Sequence, residues 1–518
     1  MARPAFFGYD RPPRHGARCR TVAVPLRNGM HLVADLTLPA PADEPGPGRL
    51  GQGYPGLVAH YTPYGRTQRR PEAAWWAARG YAVLVCDIRG TGDSPGMFPG
   101  CLSAGENEDN EDVIEWLAAQ PFCTGRVVQY GQSYGGMAAL RVASRQPPHL
   151  VAIAPQETYS SYYRHTAFPG GIPAGAGRNW ADGVPTYTGG RVSASFQKEL
   201  WAVHPLIDEF WRQVDIDTKY ASITVPALCC GGWLDVFREG TVENHTGLGA
   251  RSFLVMGPWP HGPLDRMDLE PLPLGAVLAF FDRHCTGDGW DEGAGAPLPA
   301  ARVMSYELPR PASRGWTELD GFPPTDASEL DLALCTRGRL ADEPGEGATA
   351  SFVTDPSDGP AALVFGPDAT FPDEAGVDQR ERDARRLGFE TSPLEDDVTV
   401  VGAARLQLRA SLSQPDASFV ARLMDYSPDG RAQEITVGYL RASHRAGHDR
   451  VVAVPVGEPT DYSMTLQPVH WRLRAGHRLR VSLSAGDVPA LMPDTPEGTV
   501  TVAVGQGGSR LQVPVVFG

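Results

Sequence analysis

Two windows of this chain have the form G-x-S-x-G: Gly92 to Gly96 in GTGDSPG, and Gly131 to Gly135 in GQSYG. That spacing suits a nucleophilic serine on a tight strand-to-helix turn. The turn lifts the serine oxygen clear of the sheet, and the next residue gives its N–H to the oxyanion that forms on the substrate. In a chain with 59 glycines the pattern arises by chance roughly 0.3 to 0.5 times, so the pattern alone does not choose. Pro95 follows Ser94 and has no N–H to give, and the residues beyond it, GMFPGCLSAG, have no helical period. Ser133 follows the apolar run VVQY and precedes the alanine-rich GGMAALRVASRQ, where Met137, Leu140 and Val142 recur at roughly helical spacing. Tyr134 supplies an N–H, while Gly131 and Gly135 remove side chains where strand and helix pack closely. Ser133 is the candidate nucleophile, and Ser94 is expected to be a loop residue.

A serine nucleophile needs an imidazole base and a carboxylate that orients it, in the chain order Ser, acid, His when the scaffold is an open α/β sheet. Asp235 ends the apolar run VPALCCGGWLD, and His261 follows RSFLVMG in the loop PWPHG. Both stand where a strand gives way to a loop. Of the thirteen histidines, His245 falls in a helical pattern, EGTVENH, and His60 and His204 stand in places that the order forbids. The constellation Ser133, Asp235 and His261 predicts acyl transfer through a covalent acyl-enzyme.

The elements that must hold these residues are legible as alternation. TVAVPLRNGMHLVADLTLPA reads as a strand pair turning at Asn28-Gly29. GLVAHYTPYG, YAVLVCDIRG and GRVVQYGQS read as strands, and PEAAWWAARG and NEDVIEWLAAQ as helices. The acidic run Glu106, Glu108, Asp109, Glu111 and Asp112 suits a solvated helix N-terminus better than a metal site. Strands alternating with helices indicate an open, mostly parallel sheet with its ligand at the carboxyl ends of the strands. Residues 157–221 break this alternation with a Tyr-, Trp-, Gly- and Pro-rich stretch, read as an inserted helical cap. The pattern resumes in 222–320, and from about 321 to 518 period-two alternation with turns such as Pro428-Asp429-Gly430 predicts a β-sandwich or jelly roll. Residues 1–156 and 222–320 are thus the two parts of one α/β unit.

Bulk composition narrows the partners. A net charge of −15 argues against nucleic acid or an anionic membrane surface. Lys198 and Lys219 are the only lysines, so Schiff-base chemistry has almost no candidates. The eight cysteines include no C-x-x-C, which points to neither a zinc site nor a disulfide framework. No metal or other cofactor is expected. The first thirty residues lack an apolar signal region, and no apolar run is long enough to span a bilayer. A cytoplasmic protein acting on a small acyl substrate is the expectation, with a homo-oligomer left open.

These pieces resemble the cocaine esterase and X-Pro dipeptidyl-peptidase family of serine hydrolases over nearly the whole chain. The matching segments include TPYG around Tyr64, DIRGTGDSPG, IEWLAAQPFCTGRV, GQSYGG, HPLIDEFW, GGWLDVF, GPWPHG, LAFFDRHCTG and SPDGRAQEITVGYLR. The resemblance implies an α/β-hydrolase sheet with a helical cap and a C-terminal jelly roll. It makes GTGDSPG a structural loop. It also implies that Tyr64 donates its hydroxyl to the oxyanion beside the Tyr134 N–H, and that Phe237 lines the acyl pocket, a position that ordinary core packing would also fill. Members that cleave α-amino acid esters place a Glu-Asp pair shortly after the catalytic aspartate. Here Val236-Phe237-Arg238 occupies that place, and the start of the cap, ETYSSYYRHTAFPGG, has a single acid, Glu157. An uncharged acyl group, ester or amide, is therefore expected. An acyltransferase or cyclase using the same three residues, and a catalytically silent binding scaffold, are the alternatives.

Overall fold

The computed structural model describes residues 5–40, 53–98, 100, 103–262, 274–286, 293–309, 313–359 and 377–517. Two hairpin strands come first, β1 (Gly16–Pro25) and β2 (His31–Ala40), antiparallel with Pro25 opposite His31. The turn between them carries Gly29 at φ 82, and the Asn28 side chain accepts from the Met30 N–H at 3.0 Å. The chain then alternates β3 (Tyr54–Thr62), α1 (Arg70–Ala77), β4 (Ala82–Asp87), α2 (Ala104–Ala118), β5 (Cys123–Gln132), α3 (Tyr134–Ala143) and β6 (Leu150–Gln156). Residues 157–226 contain the helices α4 (Gly175–Tyr187), α5 (Ala194–Ala202) and α6 (Glu209–Val214) and no strand. After them come β7 (Ala227–Leu234), α7 (Arg238–Leu248), β8 (Ser252–Pro260), α8 (Leu274–Cys285), β9 (Val303–Tyr306) and β10 (Trp316–Leu319).

These ten strands form one sheet in the order β1-β2-β4-β3-β5-β6-β7-β8-β9-β10. It is parallel from β4 through β9 and antiparallel at both margins. The parallel strands are buried on both faces, and alternate residues enter two separate cores. Val127 joins the core containing α2, α3 and α7, whereas Val128 and Tyr130 join the core of α1 and α8. All ten residues of α3 are buried. The chain is thus an α/β-hydrolase fold, with β5 to β8 side by side and their carboxyl ends at one rim.

From Ser328 to Phe517 nearly all the regular structure of the described chain is strand, and thirteen strands join into one hydrogen-bonded sheet. Strand Ser418–Tyr426 is buried over eight of its nine residues between its antiparallel neighbours Ala432–Arg441 and Arg478–Ser484. This β unit packs against the α/β unit: Leu308 N–H donates to His470 O at 2.8 Å and Arg472 N–H to Leu308 O at 2.7 Å. It also touches the inserted helices, where Ile207 N–H donates to His448 O and Gly175 N–H to Ala490 O, both at 2.8 Å.

Two local expectations are corrected. The acidic run does not lie on a solvated first turn. Helix α2 starts at Ala104, capped by the Ser103 hydroxyl accepting from Glu106 N–H, and Glu106 and Asp109 are buried. Glu106 accepts the Tyr134 hydroxyl at 2.7 Å, and Asp109 pairs with Arg89. Gly136, rather than Gly135, is the second glycine that close packing demands. A Cβ on Gly136 would meet Gln156 O at 2.9 Å, and one on Gly131 would meet the Gly135 backbone at 2.7 Å, whereas one on Gly135 meets nothing closer than 3.7 Å.

Ser94 is fully buried and committed to its loop. Its hydroxyl donates to Asp87 O at 2.7 Å and accepts the Val33 N–H at 2.8 Å, tying the loop to β2. The chain wraps so tightly here that a Cβ on Gly92, at φ 48, would lie 2.2 Å from Asp87 Oδ2. Ser94→Ala should therefore lower stability by about 1–3 kcal/mol, the cost of stranding polar groups around a deleted hydroxyl, measured by chemical denaturation. The same variant should still react with a fluorophosphonate probe at the wild-type site. An adduct mapped to Ser94 in the wild type would overturn this division of roles.

Candidate active site

Ser133 stands between β5 and α3 with φ 56 and ψ −114, a backbone region that a residue with a Cβ occupies at a cost of about 1–3 kcal/mol. Neighbouring strands hold it there. Its N–H donates to Gln156 O at 2.9 Å, its carbonyl accepts the Thr158 hydroxyl at 2.9 Å, and Met137 N–H closes the first turn of α3 on the same carbonyl at 3.0 Å. The serine is half-buried, and Tyr134 after it is the first residue of α3, the position from which the oxyanion donor of such a turn comes.

Asp235 and His261 follow β7 and β8 directly. His261 Nδ1 lies 3.0 Å from Asp235 Oδ1, which also accepts the Phe237 N–H at 3.0 Å. Asp235 is fully buried and a quarter of the His261 side chain is exposed. Burial opposes a charged ring, but Asp235 and then Glu157 outweigh it and push His261 up to about 9. The serine end and the histidine loop are joined as well: the Gln132 side chain, next to Ser133, donates to the carbonyl of Gly262, next to His261.

The two remaining candidates flank this line. Tyr64 lies in the loop after β3, its N–H donating to Thr62 Oγ1 at 3.1 Å. Its ring meets Tyr134 edge-on at 6.3 Å and Tyr187 of α4 at 4.9 Å. The approach to that loop is bent: His60 has φ 59, and the β3–β4 register shifts between Val58 and Tyr61. His60 itself is buried against Glu72, 3.2 Å away. Phe237 is buried, with its ring 5.1 Å from the His261 ring at 89° and 5.0 Å from Tyr159. The arrangement therefore brings Ser133, Asp235, His261, Tyr64, Tyr134 and Phe237 to one rim of the sheet.

The site also holds a residue that sequence reading assigned to the cap. Glu157 follows β6 and is fully buried, and its Oε2 lies 3.7 Å from His261 Nδ1. Burial and the neighbouring Asp235 hold its carboxyl well above the usual carboxylate range. Its sequence signal was available: it is the first residue past a strand that neighbours the nucleophile's own.

Among the described residues two groups have the residue types of metal ligands, Glu157–Asp235–His261 and His165–Glu239–Glu243, with ligand atoms within 4.8 Å of one another. In the first the imidazole already holds Asp235 through its hydrogen bond. In the second both Glu243 oxygens are taken by Arg164, at 2.8 and 2.7 Å. Both sets fit an internal charge balance better than a cation.

The chain matches two family models. Residues 28–191 and 184–263 match the X-Pro dipeptidyl-peptidase (S15 family), and residues 295–509 match the X-Pro dipeptidyl-peptidase C-terminal non-catalytic domain. Among curated proteins it is 26% identical to the cocaine esterase of Rhodococcus sp. (strain MB1 Bresler), over 90% of each chain. It is 24% identical to a putative serine esterase of Mycobacterium bovis, over 98% of this chain and 96% of that one. Among solved structures, a CocE/NonD family hydrolase from Staphylococcus aureus superposes with a TM-score of 0.79 at 19% identity, covering 97% of both chains. With both of its parts matched and its length spanned by these relatives, the chain belongs to the cocaine esterase and X-Pro dipeptidyl-peptidase family of α/β-hydrolases.

Proposed function

We propose that this chain is a serine hydrolase that cleaves an ester or amide of a small, uncharged acyl group through an acyl-enzyme on Ser133. The observation that carries the reading is the His261–Asp235 hydrogen bond at the rim that also holds a strained serine at a helix N-terminus. Ser133 Oγ attacks the carbonyl carbon while His261 Nε2 takes its proton, and Asp235 holds Nδ1–H so that Nε2 is the basic nitrogen. The oxyanion is received by the Tyr134 N–H and the Tyr64 hydroxyl. Collapse breaks the bond to the alcohol or amine, which leaves with the proton from His261. Water then releases the acid by the same steps in reverse. We read residues 157–221 as the cap over this site and the C-terminal sheet as a jelly roll.

The preference for an uncharged acyl group rests on what lines the rim. Phe237, Tyr159, Tyr64 and Tyr187 supply aromatic walls. The acids on and around α7 are engaged or neutral: Arg164 pairs with Glu243 at 2.7 Å and with Asp217, ahead of β7, at 3.4 Å, while burial raises Glu239 to about 7. A substrate ammonium would meet a positive guanidinium rather than a cluster of open carboxylates. In a panel of p-nitrophenyl esters and anilides, neutral acyl groups should show the higher kcat/KM, and Ser133→Ala should abolish turnover of all of them. Faster cleavage of α-amino acyl esters would contradict the acyl preference, and turnover by Ser133→Ala would contradict the reaction.

Tyr64→Phe keeps the ring and its packing and deletes one oxyanion donor. The loss should fall on kcat, by roughly 10²- to 10³-fold or about 2.7–4 kcal/mol, with KM little changed. A change in KM alone would make Tyr64 a pocket wall.

The pH profile follows from His261. The base must be neutral to accept the serine proton, and the two carboxyls favour its charged form, raising it from 6.5 to about 9. Activity should therefore be low under acid conditions and rise through the alkaline range. The acid limb of kcat/KM should lie well above the usual histidine value. A limb at or below 6.5 would contradict the ion pair.

A further inference from the structure

The mechanism above uses one carboxylate behind His261, yet the imidazole faces two. Glu157 follows β6 as Asp235 follows β7, and the ends of these adjacent parallel strands bring both acids to Nδ1, at 3.7 and 3.0 Å. Glu157 is fully buried, and its backbone lies at φ 42, a left-handed conformation unusual for a residue with a Cβ. Its N–H, donating to Cys230 O on β7 at 2.7 Å, holds the chain there. Oε2 is aimed: it accepts the Gly262 N–H at 3.1 Å and the Gln132 side-chain amide, the residues adjoining the base and the nucleophile. Glu157 Oε1 and Asp235 Oδ2 are buried without a hydrogen-bond partner among the described residues. Backbone strain, full burial and an aimed oxygen at one residue mark a function in the site rather than in the cap.

We propose that Glu157 is a second positioning acid for His261, sharing the Nδ1 side of the ring with Asp235 and taking over that hydrogen bond when the Asp235 charge is removed. Once His261 is neutral, as the base must be, the two buried carboxyls against it cannot both stay ionised. Glu157 therefore carries a proton while Asp235 is charged. Neutralising Asp235 removes the nearest repulsion, the Glu157 proton leaves to solvent, and Oε2 accepts Nδ1–H. The pair thereby keeps the imidazole in the tautomer that leaves Nε2 basic.

The inference rests on the serine-hydrolase reading, so Ser133→Ala is carried in parallel: turnover by that variant would overturn the reading, whatever the acids do. The test is a double-mutant cycle with a p-nitrophenyl ester on Asp235→Asn, Glu157→Gln and the pair. Glu157→Gln alone should stay within about tenfold of wild type. Asp235→Asn should lose less than the roughly 10⁴-fold seen where a single orienting carboxylate is replaced by its amide. Glu157→Gln should cost at least about tenfold more in the Asp235→Asn background than in the wild type. Proton NMR supplies a readout that packing does not move: the far-downfield imidazole N–H resonance should persist in Asp235→Asn and vanish in the double variant. Effects that simply multiply, or loss of that resonance in Asp235→Asn alone, would overturn the proposal. The single-variant spectrum decides the matter even where the double variant fails to fold.

Discussion

An imidazole held against two buried carboxyls is the constraint around which this molecule is arranged. An uncompensated charge in a protein interior costs several kcal/mol, so each member needs the others and every remaining polar neighbour. Strands β6, β7 and β8 lie side by side and parallel, so Glu157, Asp235 and His261 emerge at one rim without any long connection. The backbone finishes the arrangement. Phe237 N–H donates to Asp235 and Gly262 N–H to Glu157, so the loops that carry Asp235 and His261 also supply hydrogen bonds to the two acids. Removing any strand of the three would leave a charge stranded in the core.

The serine adds strain to that cluster, and the surrounding packing holds the strain in place. Ser133 keeps φ 56 because the end of β6 ties down its N–H and Thr158, just past β6, its carbonyl, and because α3 behind it is buried along its whole length. Gly131 and Gly136 let strand and helix approach to where a Cβ would overlap backbone. Glu106 reinforces the helix from the far side by taking the Tyr134 hydroxyl. The C-terminal sheet reaches the acid loop as well: Arg238, buried three residues after Asp235, donates to Trp233 O at 2.9 Å and to Thr436 Oγ1 of that sheet at 3.3 Å. The β unit thus braces the loop that carries Asp235.

What could be read from the residues depended on how local its cause was. The choice of Ser133 over Ser94 turned on one missing N–H at Pro95, a property of a single residue, and Ser94 is indeed held in its loop by two hydrogen bonds. Strand and helix positions followed from apolar period. Glu157 was misplaced because the composition changes at the residue where β6 ends. Its place just past a strand is legible, but the left-handed turn that aims its carboxyl back into the site has no local signature on a glutamate. The acids of α2 read as solvated from sequence because the partners of Glu106 and Asp109, Tyr134 and Arg89, come from other segments of the chain. The roles of Tyr64 and Phe237 came from the family resemblance, since nothing in a loop tyrosine or a buried phenylalanine announces chemistry.

A covalent bond between the substrate's acyl group and Ser133 Oγ is the step on which the proposed reaction depends. Acid quenching of the enzyme during steady turnover of a slowly deacylated p-nitrophenyl ester, followed by peptide mass mapping, observes that bond directly. The predicted result is the acyl mass on the peptide containing Ser133, appearing within the burst of p-nitrophenol and absent from Ser133→Ala. Turnover with Ser133 unmodified, or with the acyl mass on another residue, would contradict it.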